Sequence, residues 1–272
     1  MSVSRWTAFP PRFGLSDGRV RDTLGSPSLP DIEPKQEEPM VLWGLDVSNH
    51  QPDFDFAEAA REGFTFATHK VTEGAGYSDP YWPRARDRMR EHFPGLFGGY
   101  VFCRRASPPD SEADVLLAHL GDPSIPIQLD YEDTDGGGSA ADLWARINAI
   151  EARGMRVFSV YLPRWYWTSR MGSAPLGPIP PLWNSDFVPG TGYASALYPG
   201  DGYEGWAPFA DGTAVTILQF SESASVAGRQ IDVNAFRGSE TELRAIFAAH
   251  QEEEVAALNT QLDDEDNGGT RS

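Results

Sequence analysis

The chain has 272 residues and carries 22 Lys and Arg against 40 Asp and Glu, a formal charge of −18. That balance argues against nucleic acid as a partner, because phosphate binding needs a basic footprint, and it disfavours an anionic membrane for the same reason. A single cysteine, Cys103, excludes an internal disulfide, while 40% hydrophobic residues with eight Trp, nine Tyr and fifteen Phe are enough for a substantial core.

Residues 1–39 are rich in Pro, Ser and charge, hold no period of 2 or 3.6, and read as an extended arm or linker. They contain no continuous apolar segment, so neither a signal peptide nor membrane insertion is expected. From residue 40 to 238 apolar strands alternate with helical segments. "VLWGLDV" reads as a strand and "FDFAEAAREG" as a helix closed by Gly63. "FTFATHK" is a strand, "DPYWPRARDRMREH" a helix, and "GLFGGYVFC" a strand that places Cys103 among apolar residues, where a buried thiol is expected. "SPPDSEADVLLAHLG" starts a helix with Pro and ends it with Gly. "IPIQLDYED" is the next strand and "SAADLWARINAIEARG" an amphipathic helix. "MRVFSVYL", "PPLWNSDF" and "TAVTILQFSE" supply further strands. Strands separated by helices imply parallel pairing. The fold class is α/β, a distorted or incomplete (β/α) barrel of the TIM-barrel type. In residues 239–272 a capping-box pattern at Ser239 or Thr241 opens a C-terminal helix with an apolar stripe of Leu243, Ile246 and Phe247, followed by an acidic tail.

In parallel α/β folds chemistry gathers at the C-terminal ends of strands. Here those ends are polar: Asp46, the "HKVTEGAGY" stretch, Asp130 with Glu132, Asn184, Gln219, and Asp232 just beyond the last. Along "IQLDYE" the side chains alternate, so Ile127, Leu129 and Tyr131 face the helices while Gln128, Asp130 and Glu132 face the barrel mouth. The two carboxylates then sit about 6.5–7 Å apart by Cα. Burial and mutual repulsion raise the pKa of one of them, leaving an acid beside a carboxylate, the pair that glycosidic bond cleavage needs. A metal site is the rival reading, but "DYEDTDGGG" lacks EF-hand spacing and the five histidines show no zinc spacing. No metal and no cofactor are expected. No Gly-x-Ser-x-Gly elbow or P-loop is present in the sequence.

The ordered segments "GLDVSNHQPDFDF", "FTFATHKVTEGAGYSDPYW", "GGYVFC", "IPIQLDYED", "LWNSDF" and "ILQFSESASVAGRQIDVNAF" resemble the successive motifs of glycoside hydrolase family 25 over about residues 41–238. These are the lysozymes, or N-acetylmuramidases, of bacteria and phages, of the Chalaropsis type. The resemblance implies a distorted (β/α) barrel and hydrolysis of the β-1,4 bond between N-acetylmuramic acid and N-acetylglucosamine in peptidoglycan. It implies Glu132 as general acid, Asp130 as the carboxylate that stabilises the transition state or assists the substrate's acetamido group, and Asp46 and Asp232 as further catalytic acids. Val101, Asn184 and Ser185 depart from the family's usual residues. Sugar rings present apolar faces on which aromatics stack; Tyr77, Trp82, Tyr161, Trp165, Tyr166 and Trp183 are candidates, Tyr161 and Trp183 the better ones, with Tyr100 and Gln219 completing the expected substrate-binding set. The alternative is a noncatalytic wall-binding or tail-associated virion module on the same barrel. Either reading places the protein at the bacterial cell wall, reached through holin-dependent release or on a virion, with self-association through the C-terminal helix as a further expectation.

Overall fold

The computed structural model describes residues 41–248. The arm expected at 1–39 and the tail beyond residue 248 lie outside the described residues. Strands β1 (Val41–Val47), β2 (Phe64–Glu73), β4 (Phe97–Phe102), β5 (Ile127–Asp130), β6 (Val157–Tyr161), β7 (Leu182–Ser185) and β8 (Val215–Val226) form a parallel series. A final strand, β9 (Arg229–Arg237), pairs antiparallel with both β8 and β1. With β1 also paired to β2, the ring closes, and the short β3 (Tyr77–Ser78) hangs on β2 as a hairpin. The barrel is therefore distorted, as expected from the sequence, but complete.

Strand β9 is the element that helix-separated alternation hides. No helix precedes it; Ala227 and Gly228 take positive φ of 48° and 72° in a two-residue turn, the geometry whose twist matches a hairpin. The chain thus reverses instead of crossing over, and β9 runs from the mouth of the barrel to its floor.

Helices α1 (Phe56–Arg61), α2 (Trp82–His92), α3 (Pro109–Leu120), α4 (Ala140–Glu151), α5 (Arg164–Arg170) and α6 (Ala194–Leu197) follow β1, β3, β4, β5, β6 and β7. Asp55 and Ser139 accept from the backbone N–H of Glu58 and Asp142 at 3.0 and 3.2 Å, capping donors that an isolated helix start leaves open. Ile127, Leu129 and Tyr131 join the large core between strands and helices, as do Leu45, Val101, Val160 and Val233. Cys103 is buried there too, and its burial pushes the thiol pKa well up. Arg146 is buried on α4 with partners all round it: Glu112 of α3, Asp142 at 3.0 Å and the Arg104 carbonyl at 3.0 Å.

The opposite strand faces fill the barrel in layers. At the floor Leu42, Phe66, Phe158, Trp183, Ile217 and Phe236 pack together. Gly44 is required here, because a Cβ would stand 2.1 Å from the Phe66 ring. The last helix, residues 240–248, starts with the predicted capping box: Ser239 N–H donates to Glu242 at 2.7 Å and Glu242 N–H to Ser239 Oγ at 3.2 Å. Its Leu243 and Phe247 are buried in the floor cluster, with Ile246 packed against them, and Phe247 stacks on Phe158 at 4.5 Å. This stripe plugs the floor of the barrel. Phe247→Ala should cost about 3–5 kcal/mol and lower the thermal midpoint by roughly 6–20 °C; an unchanged melting curve would show that the plug contributes nothing.

Candidate active site

Above the floor the barrel interior turns polar. Thr68 Oγ1 donates to Gln128 at 3.2 Å in a middle layer, and a cleft of about 390 Å³ opens at the C-terminal ends of the parallel strands. Its walls hold Asp46 from β1, Lys70 from β2, Tyr100 and Phe102 from β4, Gln128 and Asp130 from β5 with Glu132 just beyond, Tyr161 from β6, Ser185 from β7, Gln219 and Glu222 from β8, and Asp232 from β9. Asp46, Asp130, Glu132 and Asp232 thus converge, and Asp46 and Asp232 are register partners across β1 and β9. Two larger hollows, of about 810 and 760 Å³, lie at the opposite end beside the last helix. They lack this carboxylate group, and their size reflects the shape of the floor.

The carboxyls differ in surroundings. Asp46 accepts from Gln219 Nε2 at 2.9 and 3.1 Å and from Asn234 Nδ2 at 2.7 Å; burial raises its pKa and these donors oppose the rise. Asp232 is lifted to about 8, first by burial and then by the charge of Asp46, to which it is also hydrogen-bonded. Asp130 is only 9% exposed, and its Oδ1 finds no donor among the described residues. Burial, and after it Glu132, push it well above the usual carboxylate range. Glu132 stands at about 7, raised by burial and then by Asp46, with Lys70 pulling the other way. All four carboxyls are raised because four charges cannot share so dry a space.

Lys70 is the counter-charge. It bonds Glu73 at 2.9 Å, and Glu73 is bound in turn by Arg104, which reaches Asp133 at 3.0 Å. Glu73 is therefore structural, and this train of ions holds Lys70 against the Tyr100 and Phe102 rings, 5.8 and 5.3 Å from their centroids.

The expected substrate-binding residues divide. Tyr100, Tyr161 and Gln219 line the cleft, and Tyr161 O–H donates to Gln219 Oε1 at 2.9 Å. Trp183 does not: it is fully buried at the floor, edge-on to Phe66, and Ser185, two residues on along the same face, lines the cleft. Tyr77 sits on the β3 hairpin, outside the ring of strands, and does not line the cleft. Among the other aromatics Trp82 and Tyr166 are core, their polar atoms bonded to the carbonyls of Leu120 and Asp133. Trp165 is 46% exposed and does line the cleft, joined by Phe187 at 43%. Phe187 lies in a loop where no periodicity marks a face. His50 reaches the cleft, whereas His69 points outward beside Trp82. Asn234, two residues from Asp232 and so on the same face, was legible in principle but became visible as a partner of Asp46 only with β9 in place.

Residues 45–229 match the sequence model of Glycosyl hydrolases family 25. The chain belongs to that family. It is 30% identical over 152 residues to an N,O-diacetylmuramidase of Chalaropsis sp., covering 49% of this chain and 72% of that protein. It is 26% identical over 257 residues to lysozyme M1 of Streptomyces globisporus, covering 86% and 77%. A family GH25 lysozyme from Aspergillus fumigatus superposes with a TM-score of 0.61 at 25% identity, over 77% of this chain and all of that one. The bacterial lysozyme of Streptomyces coelicolor gives 0.59 at 25% identity, over 76% and 97%. This family 25 chain is a glycoside hydrolase of the lysozyme type.

Proposed function

We propose that this chain is a muramidase, cleaving the β-1,4 bond between N-acetylmuramic acid and N-acetylglucosamine in bacterial peptidoglycan, with Glu132 as general acid and Asp130 as its partner. The observation that carries the reading is the placement of both carboxyls on one face of β5 and its extension, inside the cleft. Glu132 is the more exposed of the two, so a glycosidic oxygen can reach it. Asp130 lies deeper with an oxygen free of donors, suited to face the positive charge that develops on the sugar ring. That charge favours ionised Asp130, while Glu132 gives its own proton to the leaving oxygen as the bond breaks. Asp46 keeps the field around Glu132 negative and its proton on at neutral pH.

Residues 40–238 form the catalytic part in this reading, and peptidoglycan of the cell wall is the substrate on which it acts. Purified peptidoglycan incubated with the protein should release new reducing ends that are muramic acid. Reducing glucosamine ends would indicate another glycosidase, and no new ends a noncatalytic module. Trp165 and Phe187 flank the mouth as platforms for sugar faces. Trp165→Ala should raise KM by roughly 2- to 10-fold, the worth of one ring contact, with kcat little changed; an unaltered KM would remove the platform.

A further inference from the structure

The residue that the fold moved out of the cleft has a consequence inside it. We propose that Trp183 is a positioning residue for Asp46: from the floor of the barrel its indole N–H locks the Asn234 amide, which then has only its N–H donors to offer Asp46. The distances are 2.9 Å from Trp183 Nε1 to Asn234 Oδ1 and 2.7 Å from Asn234 Nδ2 to Asp46.

The argument is one of donors and acceptors. An Asn side chain is ambiguous by itself, because its two ends are nearly the same shape and carry opposite hydrogen-bonding character. Indole nitrogen is a donor only. It can accept nothing, so the atom facing it must be Oδ1, and Nδ2 is turned toward Asp46. Reversed, the amide would set two donors against each other at Trp183 and an oxygen against a carboxylate at Asp46. The second amide on Asp46, Gln219, is held by the Tyr161 hydroxyl at 2.9 Å, but a hydroxyl both donates and accepts, so that partner does not dictate the orientation. Trp183 does, and it is fully buried and edge-on to Phe66, which leaves its ring no freedom to turn.

With Asp46 committed to accepting, the proton in its contact with Asp232 lies on Asp232. The other groups facing this pair are Lys70 from β2, Tyr100 from β4, Asp130 and Glu132 from β5, Tyr161 from β6, Glu222 from β8 and His50 from the loop after β1. Lys70 is the cation among them and is already engaged by Glu73, so the amides are the groups that hydrogen-bond Asp46 in its ionised form. Asp46 then supplies the negative charge that keeps the proton on Glu132. Trp183 thereby sets the protonation order of a cleft it does not touch.

This inference rests on the reading of the cleft as a hydrolytic site. The test is Trp183→Phe, which removes the N–H and keeps a ring, with peptidoglycan turnover followed from pH 3 to 9. Both limbs of the profile should move inward by roughly half a unit or more, one pKa unit being a tenfold change in the balance between the forms. Asp46 ionises less readily, so the acid limb rises; Glu132 loses a negative neighbour, so the alkaline limb falls. A slower enzyme with both limbs in place would mean that the indole is packing alone, and would overturn the proposal. Asn234→Ala, which leaves the floor intact, must move the limbs the same way, and fixed limbs there overturn it equally. Carbon-13 titration of the carboxyls in the wild-type protein needs neither variant nor turnover: Asp46 should ionise before Asp232, and the reverse order overturns the assignment. A wild type that fails to cleave peptidoglycan would count against the muramidase reading, while this titration would still judge the inference.

Discussion

Glu132→Gln is expected to leave a folded protein that no longer clears peptidoglycan. The amide keeps the size and the hydrogen-bonding reach of the acid but has no proton to give to a leaving oxygen. Loss of a general acid costs typically 10²–10⁴-fold, and turnover should fall into that range. The same substitution should stabilise the fold above neutral pH, because it removes a carboxyl that burial and Asp46 hold at about 7. Loss of turnover with a thermal midpoint at pH 8 at or above that of the wild type would therefore separate a chemical defect from a folding defect. Near-normal turnover would take the acid role away from Glu132.

The second large effect is on stability against pH, and its sign follows from the same carboxyls. Glu132 and Asp232 have ordinary values of 4.5 and 3.8 and stand at about 7 and about 8 in the folded protein; Asp130 is displaced in the same direction. A group raised on folding binds its proton more tightly in the native state. Its contribution is complete below the unfolded value and is lost as pH climbs through the folded one. Between about pH 4 and 8 the cleft thus works increasingly against the fold. Asp133, Asp142 and Glu73 act oppositely: although buried or partly buried, they are held below the ordinary range by hydrogen bonds and their arginine or lysine partners, so their contribution disappears as pH falls below about 4. Stability should peak near pH 5. Asp130→Asn, which removes a buried charge whose Oδ1 has no donor, should flatten the alkaline side and raise stability at pH 8 by about 1–3 kcal/mol. Denaturant unfolding of both proteins at pH 5 and pH 8 measures it. Equal losses of stability between the two pH values would show that Asp130 is not held above its ordinary value.

Such a gain on removing a functional acid is the usual relation between active sites and folds: charges placed for chemistry are badly placed for stability. The barrel compensates away from the cleft. Its floor is an unbroken apolar layer closed by Phe247, and its helices are tied by ions in which the buried Arg146 has partners on every side.

The amino-acid sequence by itself determined the run of strands and helices, since apolar periodicity and Gly or Pro punctuation are local, and it determined which carboxyls stand at strand ends. The period of two is enough to place Asp130 and Glu132 on one face, and the order of motifs points to the family. Height along a strand was decided only by the tertiary structure. Trp183 and Tyr161 are register partners on β7 and β6 and both point inward, yet Tyr161 sends its hydroxyl up to Gln219 in the cleft while Trp183 packs on Phe66 at the floor. Ring closure was decided there too: β9 reverses instead of crossing over, which brings Asp232 and Asn234 against Asp46 across some 190 residues of chain. Alternation is a property of one strand, whereas depth and neighbourhood belong to the closed barrel, where the stagger of each strand is fixed by all the others.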